Sequence, residues 1–399
     1  MSRLAAALFI LLGAASSSVA GDWPQFRGPQ GLGISDETAL PLEWNPGKGI
    51  RWRADLPGRG LSSPVVVGGR VYVTACSGAG QERLHVLAFD AESGKPLWQR
   101  QFTATGSTQC NGKTNMAAPT PAADAGRVFA LFATGDLAAL DREGNLLWYR
   151  SLCGDYPTIG NNVGMAASPV LHEESLFVAM ENVGESFAAA IDVRTGRNLW
   201  KRPRSQKINW TTPLVARNGD RLEVLFQSPD ELTAYDPRTG SRLWSYEGGL
   251  ASIPSPVAAE GLVIAPGGSS LALRPGREKA QKLWESKALG ASTASPTLHR
   301  RKVYTVNSSG VVVCADAESG EESWRVRVKG PHSASPVIAG DRMYLVNETG
   351  ETTVVRLGEK PETLAVNPLE DPMLASPAVS GGALFLRSDR RLYCIGQEK

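Results

Sequence analysis

Histidine is nearly absent: four residues, His85, His172, His299 and His332, in a chain of 399. That scarcity leaves little material for imidazole metal centres or for acid–base work near neutral pH. The five cysteines include no adjacent pair and no Cys-x-x-Cys, so thiolate zinc sites and haem attachment are not indicated. No surplus of one charge is present either. The 42 basic and 40 acidic residues leave a net charge of +2, which excludes nucleic acid as the expected partner, because a backbone binder needs basic excess to neutralise phosphates. After the N-terminus no apolar run approaches the roughly 20 residues of a membrane-spanning helix. No Ser-His-Asp grouping stands out, and Gly267-Gly268 lies among turn residues rather than ahead of a helix, so it is not a phosphate cradle.

What is present begins with a secretory pattern. Arg3 supplies a positive start, Leu4 to Leu12 a short apolar run, and Ser18-Val19-Ala20 the small residues of a cleavage site. Cleavage is expected after Ala20. A short membrane anchor is the competing reading, and the run is brief for it. No cysteine follows the cleavage point for lipid attachment, so the expected location is the periplasm or the outside of the cell. With 42 glycines, 26 prolines and 42% apolar residues, the mature chain combines many turns with a real core.

Internal repetition dominates. A Ser-Pro or Thr-Pro pair occurs with its proline at Pro64, Pro121, Pro169, Pro213, Pro256, Pro296, Pro336 and Pro377, at spacings of 57, 48, 44, 43, 40, 40 and 41 residues. Each pair leads into short β-branched and aromatic runs separated by turn residues, as in Val71-Tyr72-Val73, Val303-Tyr304-Thr305 and Met343-Tyr344-Leu345. That is the pattern of an antiparallel meander. A second marker closes the unit: Asp90 to Trp98, Asp192 to Trp200, Asp236 to Trp244 and Asp316 to Trp324 each span eight positions, with Gly94, Gly196, Gly240 and Gly320 between. Asp141 and Trp148 repeat the motif one residue shorter. The aspartate can cap a tight turn, the glycine supplies positive φ, and the indole is large enough to fill a gap between neighbouring units.

Eight units of this kind predict an all-β, eight-bladed β-propeller of four-stranded antiparallel blades. The last unit has three strands and no tryptophan strand. The segment Ile50-Arg51-Trp52-Arg53-Ala54-Asp55-Leu56, ahead of the first unit, reads as an orphan fourth strand. The N-terminal strand is therefore expected to complete the last blade and hide its edge. The division that follows is a signal at residues 1–20, an N-terminal extension at 21–49 and the propeller at 50–399. Trp52, Trp98, Trp148, Trp200, Trp244, Trp284 and Trp324 are the expected docking tryptophans. Two units are irregular: the fifth carries Arg274-Pro275-Gly276 on a longer route to Trp284, and the seventh ends in Leu364-Ala365-Val366 without tryptophan.

The Asp-x-x-Thr/Ser-Gly-x-x-x-Trp motif resembles the tryptophan-docking motif of PQQ-type propellers, a family that includes quinoprotein alcohol dehydrogenases and BamB-like outer-membrane assembly proteins. The resemblance runs from Ile50 to Gly396. The opening Asp22-Trp23-Pro24-Gln25-Phe26-Arg27-Gly28-Pro29 is similar to the start of secreted bacterial PQQ-like propellers. The dehydrogenases imply a vicinal cysteine pair, oxygen ligands for calcium, a catalytic aspartate and cations for the PQQ carboxylates. The vicinal pair is missing, so the resemblance implies an exported, non-catalytic binding or scaffold propeller with an envelope or extracellular protein, or a small ligand, as partner. A divergent PQQ- or metal-dependent oxidoreductase, with PQQ and calcium, is the alternative.

Candidate binding residues come from the loops expected on one face: Arg59, Lys113, Lys207, Lys329 and His332, with Trp210 three residues before Pro213 near the axis. Glu181 and Asn182 end a second strand on the same face and offer oxygens to a hard cation. The innermost positions elsewhere are small or uncharged: Ala118, Ala166, Ile253, Thr293, Ser333 and Leu374. No catalytic residue and no metal ligand set is assigned. The two long loops, Thr103 to Asn115 and Cys153 to Gly164, are expected to form a recognition surface. Cys314 and Cys394 occupy a third-strand slot that other units fill with alanine, and are expected to be buried. One disulfide is expected among Cys76, Cys110 and Cys153.

Overall fold

A computed structural model describes residues 21–396; the expected signal at 1–20 lies outside the described residues. Eight four-stranded antiparallel sheets are arranged as the repeats predict. Blade 1 is Val65–Val67, Arg70–Ser77, Arg83–Asp90 and Pro96–Thr103. Blades 2 to 7 occupy residues 122–151, 170–203, 214–247, 257–286, 297–327 and 337–368. Blade 8 takes its three inner strands from 378–395 and its outer strand from Ile50–Asp55, which pairs antiparallel with Arg391–Ile395. The ring is fastened by its two ends, as expected. No helix among the described residues is long and apolar enough to cross a membrane.

The second sequence marker now has a mechanical account. In every blade the outer strand carries a one-residue register shift against the third strand. In seven blades the bulge falls just before the tryptophan, so Leu97, Leu147 and Leu199 turn outward and the next side chain is re-aimed between blades. A small residue stands opposite the indole: Ala88, Ala139, Ala190, Ala234, Ala272, Cys314 and Cys394. Both cysteines are buried there.

The indole then reaches into the next blade. Trp98 Nε1 donates to the Arg142 carbonyl (2.9 Å), Trp148 to Val193 (2.8 Å) and Trp200 to Pro237 (2.8 Å), in each case the residue after the motif aspartate. Trp52 and Trp284 donate in the same way to Ala91 and Ala317, and Trp324 donates one residue further on, to Gly358. The indole lies flat on the motif glycine. A Cβ on Gly240, at φ +66°, would stand 2.6 Å from the Trp200 ring. Glycine is thus required by both backbone and space. Trp244 departs from this scheme. Blade 5 has no Asp-to-Gly turn to receive it, and its Nε1 donates to Glu223 Oε2 of its own blade (2.7 Å) while the ring is fully buried.

The N-terminal extension is an ordered strap. It runs along the inner strands at the lower face and touches all eight blades. Trp23 exchanges backbone bonds with Val66 of blade 1, Pro24 O accepts from Ala123 of blade 2, and Gln25 Oε1 accepts from Leu171 of blade 3. Gly31 lies against Leu214 of blade 4, and Leu32 packs with Val257 of blade 5. Arg27 donates to the Pro296 carbonyl of blade 6, Ile34–Ser35 adds a short parallel strand to Val337–Ala339 of blade 7, and Glu37 accepts the Gly381 and Gly382 N–H groups of blade 8. The Arg27 guanidinium is buried, and that burial lowers its pKa to about 9.

Candidate functional site

The first sequence marker builds the axis. From Ser63 to Ser335, each Ser/Thr before its proline donates its backbone N–H to the side-chain oxygen of the equivalent residue in the next blade. The series Ser63, Thr120, Ser168, Thr212, Ser255, Ser295, Ser335, Ser376 is linked by seven such bonds of 2.8 to 3.1 Å. A hydroxyl is the smallest side chain that accepts at this place, and the following proline has no N–H to satisfy. The seven hydroxyls from Thr120 to Ser376 each spend a lone pair on the wall and keep their own proton to donate.

These eight residues form the lower ring of an axial cavity of about 350 Å³. Two positions earlier in each blade comes an upper ring: Leu61, Ala118, Ala166, Trp210, Ile253, Thr293, Ser333 and Leu374. Phe26 of the strap is the floor, and Asn111, Lys113 and Thr114 of the first long loop overhang the mouth. The volume lies within the range of small-molecule pockets, which are mostly apolar with a few fixed polar groups. Trp210 is the one large aromatic on the wall. Its Nε1 donates to Gly164 O (2.6 Å), which holds the indole upright against the second long loop. The two loops also bind each other, through Asn111 N–H to Val163 O.

The structure places Trp210 and Lys113 at the cavity and the other candidates away from it. Arg59 pairs with Asp389 (2.7 Å), Lys207 with Asp230, and Lys329 with Glu351 (3.0 Å). Lys113 itself reaches to blade 7, where Glu348 takes its Nζ at 3.0 Å and also accepts the Ser333 hydroxyl (2.6 Å). His332 is buried with Nδ1 on Val346 O (3.1 Å), and burial lowers its pKa below the ordinary imidazole value. Glu181 faces Arg204 rather than solvent. Both side chains are fully buried, 3.0 Å apart, and the same guanidinium also holds Glu231. Asn182 accepts from Gly160 and Gly184 and donates to Met180 O and Glu185 O. Its amide is consumed in fastening the second long loop. Among the described residues no three His, Cys, Asp or Glu side chains gather as a metal site.

The disulfide expectation needs correction: all five cysteines are free thiols. Cys76 Sγ donates to Gln81 Oε1 (3.3 Å), the Gln81 amide reaches Cys110 Sγ (3.8 Å), and Cys110 also meets Thr114 O (3.6 Å). Gln81 therefore stands between two of the sulfurs. Cys153 packs elsewhere, against Gly135 and Gly106. Burial raises the Cys153 thiol to about 11, so it is a poor nucleophile for exchange.

Phe26 and Glu348 escaped the sequence reading. Phe26 sits in an extension that carries no repeat signal, although Trp23 and Phe26 together are unusual for a free leader. Glu348 is one acid among 40, and only the ring geometry brings it to Lys113.

Comparison with known proteins adds relatives. A family model described as outer membrane protein assembly factor BamB matches residues 42–246 and 272–365. A polyvinylalcohol dehydrogenase from Pseudomonas sp is 27% identical over 239 residues, covering 49% of this chain and 35% of that protein. The outer membrane protein assembly factor BamB of Alkalilimnicola ehrlichii is 27% identical over 208 residues, covering 52% of this chain and 48% of that protein. The matches thus span about a third to a half of those relatives' own lengths. Among solved structures, BamB from Moraxella catarrhalis superposes with a TM-score of 0.61 at 15% identity, covering 87% of this chain and 98% of that one. Quinohemoprotein alcohol dehydrogenase from Comamonas testosteroni superposes with a TM-score of 0.71 at 13% identity, covering 96% and 82%. At such identities the superpositions speak for the fold.

Proposed function

This chain belongs to the PQQ-repeat propeller family described as outer membrane protein assembly factor BamB, and from that premise we propose that it is a non-catalytic binding propeller of the cell envelope whose working site is the mouth of the axial cavity. One observation carries the reading. The cavity is fully built, with a floor, a hydroxyl ring and an aromatic wall, yet the charged loop groups assigned around it are already paired with acids. Such a seat suits a small uncharged ligand, or an uncharged side chain of a partner protein, that accepts hydrogen bonds and lies against Trp210.

The dehydrogenase reading has its own support in the 27% identity to a polyvinylalcohol dehydrogenase. The residues present do not fit PQQ with calcium. A tricarboxylate calls for cations and calcium for several carboxylate or carbonyl oxygens. The cavity lining has no acidic residue, and its one ammonium, Lys113, is held by Glu348. No reaction step is therefore assigned to the site.

Thermal unfolding of residues 21–399 with graded neutral polyols and saccharides, and separately with PQQ plus calcium, tests the choice. A ligand at about 100 times its dissociation constant adds roughly 2.7 kcal/mol. A saturable rise with a neutral compound that is lost in Trp210→Ala supports the binding reading. A rise with PQQ and calcium, accompanied by dye reduction with alcohols, would replace it with the dehydrogenase. An envelope protein captured by the wild type and not by loop variants at Asn111 and Lys113 would assign the same mouth to a protein.

A further inference from the structure

A second, larger concavity lies far from the axis, at the lower face between blades 6 and 7, with a volume of about 460 Å³. Its origin can be read from the repeat. At regular interfaces the residue whose carbonyl receives the docking indole directly follows the motif aspartate. Arg142 does so between blades 1 and 2, where its guanidinium lies on Gly68 O (3.0 Å) and its carbonyl receives Arg70; Val193 and Ala317 do so elsewhere, both buried. Between blades 6 and 7 the residue at that place is Leu357, whose N–H meets Asp341 O (2.7 Å), and Trp324 Nε1 donates one residue further on, to Gly358 O (2.9 Å). The docking turn of blade 7 is thus displaced by one residue, and its Leu357, Gly358 and Glu359 line the groove. A Cβ at Gly358 would meet only Lys360 O, at 3.8 Å, so neither backbone nor packing requires glycine there.

The wall of this groove is basic in an unusual way. The turn between the two inner strands of blade 6 is Arg300-Arg301, with φ of +50° and +59°. The other seven turns at this place use only Gly, Ala, Asp or Glu. Two bulky residues in the left-handed region are disfavoured, and such outliers point to a use. Arg301 has one: its N–H meets Glu260 and its guanidinium stands 4.0 Å from Glu318 of blade 6. Arg300 lines the groove, and its guanidinium has no hydrogen bond or ion pair among the described residues. His299 and Lys302 flank it; the His299 Nε2 is buried without a partner, and Lys302 Nζ donates to the Ser323 hydroxyl (3.1 Å) and stands 3.7 Å from Asp316 of its own blade. Tyr304 and Trp324 form the aromatic back wall. Of the two acids in the lining, Asp341 is 3.9 Å from Arg342 and Glu359 is exposed at the rim.

The geometry points to a binding site in the groove between blades 6 and 7 for a small oxyanion, a phosphate or a carboxylate, held by Arg300 with His299 and Lys302 at its sides. Arg300 is the anchor, because its planar fork matches two oxygens of either group. The site is independent of the axial cavity.

Isothermal titration at constant ionic strength, with inorganic phosphate and separately with malonate, tests it on the chain from residue 21 onward. Saturable binding of one of them at up to tens of millimolar, weakened about tenfold or more in Arg300→Gln, supports the site and says which oxyanion it takes. Gly358→Leu is the second arm: it should fill the groove, abolish binding and raise the melting temperature, which shows that the variant is folded. Absence of saturable binding by either anion, or binding unchanged in both variants, would overturn the proposal.

Discussion

At the scale of single residues, two kinds of glycine separate cleanly. Gly240 and Gly261 both have positive φ, but a Cβ at Gly240 meets Trp200 at 2.6 Å whereas one at Gly261 meets nothing within 4 Å. Gly261→Ala should cost about 1 kcal/mol from backbone strain alone. Gly240→Ala should cost that plus roughly 1–3 kcal/mol of overpacking; equal losses in denaturant titration would show that the indole does not rest on the glycine. The axial hydroxyls allow a second comparison. Ser168→Ala leaves the buried Thr120 N–H without an acceptor, at roughly 1–3 kcal/mol, and Ser168→Thr should restore most of it. Thiol counting gives a third: five reactive thiols should appear on unfolding without reductant, and three would return the disulfide to consideration.

At the scale of the repeated element, the docking turn is an acid-sensitive part. The Ser93 hydroxyl and N–H both donate to Asp90, and the Ser319 N–H donates to Asp316, holding each carboxyl below the usual range. A lowered folded pKa means the carboxylate is favoured by folding. The stability so contributed is complete above the unfolded value near pH 4 and is lost as pH falls through the folded one. The melting temperature should therefore drop below about pH 4, and Asp90→Asn with Asp316→Asn, which keep an accepting oxygen, should flatten that drop. The blade itself was legible in the sequence because turn, bulge and indole recur in a fixed order. Trp244 was misread for a local reason: an indole is placed by the turn of the following blade, and blade 5 lacks that turn. Glu181 and Asn182 were misread because sequence gives their position at a strand end and not their depth. Arg204, the group that satisfies Glu181, is 23 residues away.

At the scale of the whole molecule, the strap from Trp23 to Glu37 and the closing strand Ile50–Asp55 tie the ring in two ways. The first was invisible to repeat counting, since it has no counterpart in any blade. Its removal should open the floor beneath the axial cavity and lower stability by on the order of 5 kcal/mol. Hydrogen exchange should then quicken along all eight inner strands; quickening confined to blades 1 to 3 would mean that the strap only plugs and does not bind the ring together. The closing strand has a consequence in time as well as in space. Trp52 finds its partner Cys394 only after the strands of blades 1 to 7 have been made, so the earliest blade material to be synthesised is among the last to be paired. Contacts of such long sequence separation are slow to form, and meanwhile the nascent chain carries two raw sheet edges. Ring closure thus waits for the last blade, and the incomplete ring is the form in which this protein is most exposed to aggregation and proteolysis.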